Sequence, residues 1–345
     1  MVRGHEATHH AHRPDRPRRL RGEEGAELLT FTLFCSDVAR DRHGVEWEVA
    51  SPGLRTIVLD GDEVVADHDI RAIELAFFSA DIWPDRSANF MRVCLDAANL
   101  RWLHVFNAGV DHPVFGLFRE RGVRLTTSSG ASAVPIAHSV IMHLIALCRH
   151  STRFARQQAE HVWERADVTD VEGRTVGVIG LGAIGTEVAR LATEFGMRVI
   201  GVRRSPTGDE PCETWTSSRL PDLLPMLDDL VLTAPLTDET RSMIGADQLA
   251  ALPRGAHVIN VGRGELIDET ALAEALRSGH LGGAALDVFE VEPLAGDSPL
   301  WDLPNVIVTP HSAGTTDLSR DRAAGLFIDN LGRYTRGEPL RNETP

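Results

Sequence analysis

An arginine, a glutamate and a histidine stand close to the ends of three predicted strands. Arg263 follows the apolar run AHVINVG, Glu292 comes shortly after GAALDVF, and His311 follows NVIVTP. The carboxyl ends of parallel strands meet at one edge of a sheet, so we expect these side chains to converge there. A guanidinium can bind a carboxylate and a carbonyl oxygen, a histidine can transfer a proton, and a nearby carboxylate can orient that histidine. Arg263, Glu292 and His311 are therefore the predicted catalytic residues, with chemistry suited to hydride transfer to a 2-oxo acid.

A glycine-rich turn, GLGAIG, opens the same series of strands. The strand-like run TVGVI precedes it and the helical segment TEVARLATEF follows it. In such a setting the first glycine permits a tight turn, the second lets the backbone approach a pyrophosphate, and the third allows close packing of helix on strand. The start of the helix adds amide donors for phosphate. We predict that this turn binds a dinucleotide through Gly180, Leu181, Gly182, Ala183, Ile184 and Gly185.

The next strand, MRVIGV, ends in Arg203-Arg204-Ser205 rather than in an acidic residue. A carboxylate at this position holds the ribose 2′-hydroxyl of NAD, whereas a guanidinium can grip a 2′-phosphate. These three residues therefore favour NADP(H), with NAD(H) as the other possible cofactor. Further cofactor contacts are predicted at Ala234, Pro235, Thr240, Val261, Gly262, Asp287 and His311.

Short apolar runs alternate with helical segments along most of the chain, which is typical of an α/β protein. The series from Val176 contains six candidate strands and predicts a doubly wound, largely parallel sheet. The segment from Val134 to His150 is apolar nearly all round and predicts a buried helix. A second helix is predicted from about Asp317 to Arg336, packed on the first domain. Residues 1–26, rich in Arg, His, Pro and Glu, are predicted to be a disordered tail.

The composition excludes several classes of protein. All 35 basic residues are arginine, so Schiff-base, P-loop and Tyr–Lys dehydrogenase chemistry cannot be built. The net charge of −15 argues against a nucleic-acid binder. The four cysteines show no CxxC spacing and no run of 18 apolar residues occurs, so we expect no metal site, no disulfide framework and no membrane span. Free thiols fit a cytoplasmic location.

The sequence resembles the D-isomer-specific 2-hydroxyacid dehydrogenase family from about Ile73 to Gly332. The matching segments are GLGAIG, APLTDETRSMI, LPRGAHVINVGRGELIDETAL, GAALDVFEVEPL and LPNVIVTPHSAG. The resemblance implies two Rossmann-like domains. A cofactor domain of residues 134–313 would be inserted into a split, flavodoxin-like substrate domain of residues 27–133 and 314–345. The resemblance is closest to the NADP-preferring glyoxylate/hydroxypyruvate reductase branch.

The same resemblance assigns roles to individual residues. It places the family's catalytic trio on Arg263, Glu292 and His311, and its nicotinamide contact on Asp287. It places a backbone cradle for the substrate carboxylate on the turn Asn107–Val110, with Ala108, Gly109 and Val110 as predicted substrate contacts. Phe78 and Ser79 are also predicted to contact substrate, in a wall that could accept a side chain larger than that of glyoxylate.

The resemblance implies a homodimer built through the cofactor domain, with the helix 134–150 and the segment around Trp163 as contacts.

The identity of the substrate stays open among glyoxylate, hydroxypyruvate and bulkier 2-oxo acids. A dinucleotide-dependent, corepressor-like binding protein of the same fold is the alternative function.

Overall fold

The computed structural model describes residues 19–21, 27–61, 63–110 and 112–344. The chain divides into two compact units, one ending at Ser128 and resuming at Arg320, the other spanning Ser129–Ser319. The junctions expected from the sequence were 133/134 and 313/314. The first junction differs because residues 129–132, which lead into the helix Ala133–Cys148, belong to the same unit as that helix.

The first part of unit one alternates strands and helices. Its strands are β1 (Arg19–Arg21), β2 (Glu27–Leu29), β3 (Thr32–Ser36), β4 (Arg55–Leu59), β5 (Leu75–Phe78), β6 (Trp102–Val105) and β7 (Arg124–Thr127). Its helices are α1 (Asp37–Ala50), α2 (Asp67–Ile70), α3 (Ser87–Asp96) and α4 (Val114–Glu120). Strands β1 and β2 pair antiparallel, so Arg19–Arg21 depart from the predicted tail; the rest of residues 1–26 lies outside the described residues.

Unit two contains a seven-stranded parallel sheet. Its strands are β8 (Thr175–Ile179), β9 (Arg198–Val202), β10 (Glu213–Trp215), β11 (Asp229–Leu232), β12 (His257–Asn260), β13 (Gly283–Leu286) and β14 (Val306–Val308). Its helices are α5 (Ala133–Cys148), α6 (Ser151–Ala159), α7 (Ala183–Glu194), α8 (Leu220–Leu223), α9 (Ala246–Ala251) and α10 (Glu269–Arg277). The strand order β10-β9-β8-β11-β12-β13-β14 is a doubly wound Rossmann topology. The short edge strand β10 was not predicted.

Burial on both faces explains the composition of these strands. Strands β11, β12 and β13 are buried along their whole length, between two separate hydrophobic clusters of unit two. Parallel strands covered on both faces read as continuous apolar runs, because neither face meets water. Helix α5 packs against α7 and beneath β12 and β13, as its apolar sequence predicted.

Unit one is completed by α11 (Ser319–Arg336) and β15 (Glu343–Thr344). Its sheet has the order β15-β7-β6-β5-β3-β4, in which β3 to β7 follow the flavodoxin-like order 2-1-3-4-5 and β15 adds an antiparallel edge. Phe327 of α11 is buried, with its ring stacked 4.3 Å from that of Phe77 and 5.5 Å from that of Trp102. The C-terminal helix therefore closes the core of the first unit.

No single helix in the described part of the chain is long and apolar enough to cross a membrane. Only the pair α5 and α6, bent by 68°, passes such a test, and by length and composition alone.

Candidate active site

The glycine-rich turn lies between β8 and α7 and permits close approach of the backbone. Gly180 has φ +103°, and a Cβ built there would lie 2.6 Å from the Ala234 backbone. A Cβ on Gly185 would lie 2.1 Å from the Gly180 carbonyl oxygen. No described atom comes within 4 Å of a Cβ built on Gly182, so the space above the start of α7 is open. The turn therefore fits a pyrophosphate resting on the helix N-terminus.

Thr233, which the sequence analysis missed, holds this turn in place. Its hydroxyl donates to the Gly180 carbonyl oxygen at 2.7 Å, from the residue that follows β11. The neighbouring Ala234 is buried, and the carbonyl of Pro235 accepts a hydrogen bond from Thr240 at 2.7 Å. The hydroxyl of Thr240 therefore shapes the loop after β11. This loop contains Ala234, Pro235 and Thr240, the three residues predicted there to contact the cofactor.

The end of β9 carries the arginines that are predicted to contact the ribose. The Arg203 backbone amide donates to Trp215 at 3.1 Å, and its guanidinium pairs with Glu210 at 3.2 Å. Arg204 forms an exposed ion pair with Glu239. The sequence shows no acid at the strand tip, yet the loop brings Glu210 back beside Arg203.

Arg263 follows β12 and is braced through its backbone. Asn260 accepts from the Gly262 amide at 3.1 Å and donates to the Arg263 carbonyl at 2.9 Å. The Arg263 Nη1 atom donates to the Gly262 carbonyl at 2.8 Å. At Gly264 a Cβ would lie 1.8 Å from the carbonyl carbon of Phe289, so only glycine fits. Asn260 is a supporting residue that the sequence analysis did not identify.

His311 and Glu292 form a hydrogen-bonded pair. The Nδ1 atom of His311 lies 2.8 Å from Oε2 of Glu292, whose other oxygen accepts from the Phe289 amide at 3.1 Å. Nε2 of His311 has no hydrogen-bond partner in the described part of the chain, and the side chain is 54% exposed. With Nδ1 held by the carboxylate, Nε2 is the atom that can hand a proton to a substrate.

Asp287 holds the turn that carries His311. Its carboxylate accepts from the Thr309 hydroxyl at 2.6 Å and from the amides of Ser312 and Ala313 at 2.9 and 3.0 Å. The His311 amide donates to the Asp287 carbonyl at 2.9 Å, which stabilises the left-handed φ of 50° at His311. The contact predicted for Asp287 was to the nicotinamide; the structure shows its carboxylate bound to this turn.

These residues stand on neighbouring strands of one sheet. Strand β13 lies between β12 and β14 with all three parallel, so their carboxyl ends share an edge. Arg263, Glu292 and His311 therefore follow adjacent strands, as predicted. The glycine turn follows β8, which is separated from β12 only by β11.

Unit one carries the predicted substrate cradle after β6. Ala108 is exposed, Val110 is buried, and the Asn107 carbonyl accepts from the Ser128 amide at 3.0 Å. The amides of Ala108 and Gly109 donate to no described residue. Amides in such a turn can bind an anion without carrying a net charge.

Phe78 and Ser79 are two further residues predicted to contact substrate. Phe78 is buried in the core of unit one, with its ring 5.3 Å from Phe90 and 5.6 Å from Phe106. The Ser79 hydroxyl donates to Asp81 at 2.7 Å and lies 3.1 Å from that of Ser36. Their side chains serve packing and internal hydrogen bonds, and the substrate contacts predicted for these two residues stay predictions.

One group of possible metal ligands lies in the core of unit two. Potential ligand atoms of Cys148, Asp229 and His257 come within 4.8 Å of one another. Arg174 binds both oxygens of Asp229, at 2.8 and 2.9 Å, and His257 binds one of them at 2.9 Å. Burial would raise the pKa of Asp229, but the hydrogen bonds from His257 and Arg174 outweigh it and lower that pKa. A guanidinium already neutralises the carboxylate, so we interpret the group as a buried ion pair.

Comparisons with known proteins agree with this geometry. The family model described as "D-isomer specific 2-hydroxyacid dehydrogenase, NAD binding domain" matches residues 141–313. A glyoxylate reductase of Korarchaeum cryptofilum is 36% identical over 251 residues, which is 70% of this chain and 75% of that protein.

Two solved structures are also similar to this chain. An NADPH-dependent glyoxylate/hydroxypyruvate reductase of Sinorhizobium meliloti, in complex with NADP and sulfate, has a TM-score of 0.76 at 30% identity, covering 91% of this chain and 98% of that one. A D-isomer specific 2-hydroxyacid dehydrogenase of Xanthobacter autotrophicus, in complex with NADPH and MES, has a TM-score of 0.74 at 34% identity, covering 91% and 98%. The glycine turn, the residues that follow β12 to β14 and these similarities agree, and the chain belongs to the D-isomer specific 2-hydroxyacid dehydrogenase family, as an oxidoreductase with an NAD(P)-binding domain.

Proposed function

We propose that this enzyme is an NADP(H)-preferring reductase that converts a small 2-oxo acid, such as glyoxylate or hydroxypyruvate, into the corresponding 2-hydroxy acid, with the D configuration wherever the new hydroxyl-bearing carbon is a stereocentre. The observation that carries the reaction type is the His311–Glu292 pair at 2.8 Å, whose two residues follow β14 and β13, with β13 next to the strand β12 that precedes Arg263. The bound nicotinamide supplies the hydride for the carbonyl carbon. Arg263 binds the carboxylate and polarises the carbonyl, and Nε2 of His311 gives the carbonyl oxygen its proton.

The substrate proposal follows from the charges of the groups that would hold it. A 2-oxo acid has one carboxylate and one adjacent carbonyl, which suits the single guanidinium of Arg263. Phe78 lies in the core, so the structure offers no support at that position for a bulky substituent. We therefore favour the smaller acids over phenylpyruvate.

A substrate panel tests the proposed reaction directly. NADPH and NADH oxidation is followed at 340 nm with glyoxylate, hydroxypyruvate and phenylpyruvate, and we expect turnover with the first two and the higher kcat/KM with NADPH. Absence of turnover with every 2-oxo acid, together with stable capture of a protein partner, would instead support a dinucleotide-dependent binding protein.

The cofactor preference rests on Arg203 at the end of β9. We expect Arg203→Ala to raise the Kd for NADPH roughly tenfold to hundredfold, because a charge-assisted contact to the 2′-phosphate is lost, and to leave the Kd for NADH nearly unchanged. Isothermal titration with both cofactors measures the two constants. Arg198→Ala at the other end of the same strand, where Arg198 pairs with Glu213, is the matched control. Equal weakening of both cofactors by Arg203→Ala would contradict the proposed preference.

We further propose that the enzyme is a homodimer assembled through unit two. Phe154, Val162 and Trp163 line a cavity of about 620 Å³ beside α6, and Trp163 is 98% exposed. Phe154, Val162 and Trp163 are all exposed and share this cavity, and a contiguous exposed apolar patch commonly marks a protein–protein contact. The four cysteines carry free thiols, which supports our proposal of a cytoplasmic location.

Replacing Trp163 tests the dimer. We expect Trp163→Arg to convert most of the protein to monomer at micromolar concentration, since removing a central aromatic contact and burying a charge commonly costs an interface about 2 kcal/mol or more. Light scattering coupled to size exclusion gives the mass. Trp301→Arg, at another exposed tryptophan of the same unit, is the control and should leave the mass unchanged. A wild-type protein that is already monomeric would refute the proposal.

A further inference from the structure

The loop after β9 is closed by one carboxylate. Glu210 accepts from the Thr207 amide at 2.6 Å, the Thr207 hydroxyl at 2.9 Å, the Gly208 amide at 2.8 Å and the Arg203 guanidinium at 3.2 Å. Gly208 has φ +90°, which lets the loop turn back on itself. The side chain of Glu210 is only 5% exposed. It thus joins the start and the end of the loop 203–210.

The donors around Glu210 keep it charged and occupied. The Thr207 amide above all, with the Gly208 amide and the Thr207 hydroxyl, lowers the pKa of Glu210 to about 2. Oε1 of Glu210 accepts from the Thr207 amide and the Arg203 guanidinium, and Oε2 accepts from the Gly208 amide. Both oxygens are thus engaged within the loop 203–210, whereas the acidic residue of an NAD site holds the ribose 2′-hydroxyl.

The same contacts orient Arg203. Its backbone is fixed by Trp215 of β10, and its Nη1 atom by Glu210. Neither Nε nor Nη2 of Arg203 has a hydrogen-bond partner among the residues that the structure describes. A guanidinium held at one nitrogen loses less conformational entropy when its other nitrogens bind an oxyanion.

We propose that Glu210 is a positioning residue for cofactor specificity: it closes the loop 203–210 and orients Arg203 toward the 2′-phosphate. The inference deepens the proposed NADP(H) preference and rests on it. The proposal also states which of two opposite effects the Glu210 carboxylate has on the affinity for NADPH. As a mere charge beside the phosphate, Glu210 would weaken NADPH binding; as an anchor for Arg203, it strengthens NADPH binding.

Glu210→Ala and Glu210→Gln distinguish the two effects. We expect Glu210→Ala to raise the Kd for NADPH roughly tenfold, with a change below twofold for NADH, because the lost preorganisation affects only the 2′-phosphate. Glu210→Gln keeps one acceptor oxygen and should lie between wild type and Glu210→Ala. Glu274→Ala removes an exposed carboxylate on α10 that pairs with Arg277 at 3.7 Å, and it serves as the control for net charge.

A second measurement reports on the loop without any cofactor. Hydrogen exchange in the unliganded enzyme should show the amides of Thr207 and Gly208 protected in wild type and in Glu274→Ala, and unprotected in Glu210→Ala. Unchanged or tighter NADPH binding by Glu210→Ala, in an enzyme that prefers NADPH, would overturn the inference.

The two measurements also separate this inference from the NADP(H) proposal. If wild type binds NADPH and NADH equally, the proposed preference fails, and the exchange data alone decide the role of Glu210 in the loop. Loss of protection in Glu210→Ala would then support closure of the loop by Glu210, and retained protection would overturn it.

Discussion

His311→Ala is expected to lower kcat for 2-oxo acid reduction by about 10²- to 10⁴-fold while the Kd for NADPH changes less than twofold. The imidazole is the group that can protonate the carbonyl oxygen as the hydride arrives, since Nδ1 is held by Glu292 and Nε2 has no partner among the described residues. Because the residue acts in the transition state, kcat and kcat/KM should fall together. Stopped-flow measurement of NADPH oxidation separates the chemical step from cofactor binding.

Two variants make this result specific to the imidazole. His68→Ala removes an exposed histidine of unit one and should retain full activity. Glu292→Gln keeps a hydrogen-bond acceptor for Nδ1 but removes the charge that stabilises the imidazolium, so its kcat should lie between those of wild type and His311→Ala. A kcat within twofold of wild type in His311→Ala would remove His311 from the mechanism.

Arg263→Lys is expected to lower kcat/KM for the 2-oxo acid by about 10²- to 10³-fold, with cofactor binding unchanged. The guanidinium is planar, and its Nη1 atom is bound to the Gly262 carbonyl, so its plane is fixed by the loop. An ammonium keeps the positive charge but cannot present a planar pair of donors to a carboxylate and a carbonyl. Charge alone should therefore not rescue the reaction.

The chain itself offers a control for this substitution. It contains no lysine, so Arg277→Lys on α10 tests whether introducing a lysine in unit two has an effect of its own. Arg277 makes only a surface ion pair, and that variant should behave as wild type. If Arg263→Lys retains kcat/KM within threefold, Arg263 acts only as a positive charge, and the bidentate role proposed for it is wrong.

Much of the fold could be predicted because its signals are local. The apolar runs of β8, β9 and β11 to β14 and the long helix α5 follow from hydrophobic patterning over a few residues. Strand β10 was missed because it has three residues, Glu213, Thr214 and Trp215, of which none is fully buried. An edge strand of this length is defined by its pairing with β9, which no local pattern reports.

The site was predictable to the level of strand ends and no further. Arg263, Glu292 and His311 could be placed on one edge because parallel topology requires it. Their supporting residues Asn260 and Thr233 could not, since both act through side-chain hydrogen bonds to backbone atoms of loops, and the position of those atoms is set only in the folded chain. The burial of Phe78 could not be predicted either, because it depends on contacts with the rings of Phe90 and Phe106, which lie on other parts of the chain.

The sequence by itself determined the reaction chemistry available to this protein. Three features carry this chemistry: the absence of lysine, the glycine turn, and the arginine and histidine that follow their strands. They are properties of residue type and spacing and can be seen in the sequence alone. Only the tertiary structure decided which carboxylate serves which group: Glu292 binds His311, Asp287 holds the turn around it, and Glu210 returns to Arg203. The physical reason is that a hydrogen bond depends on distance and direction in space, which loops set by folding back on the sheet.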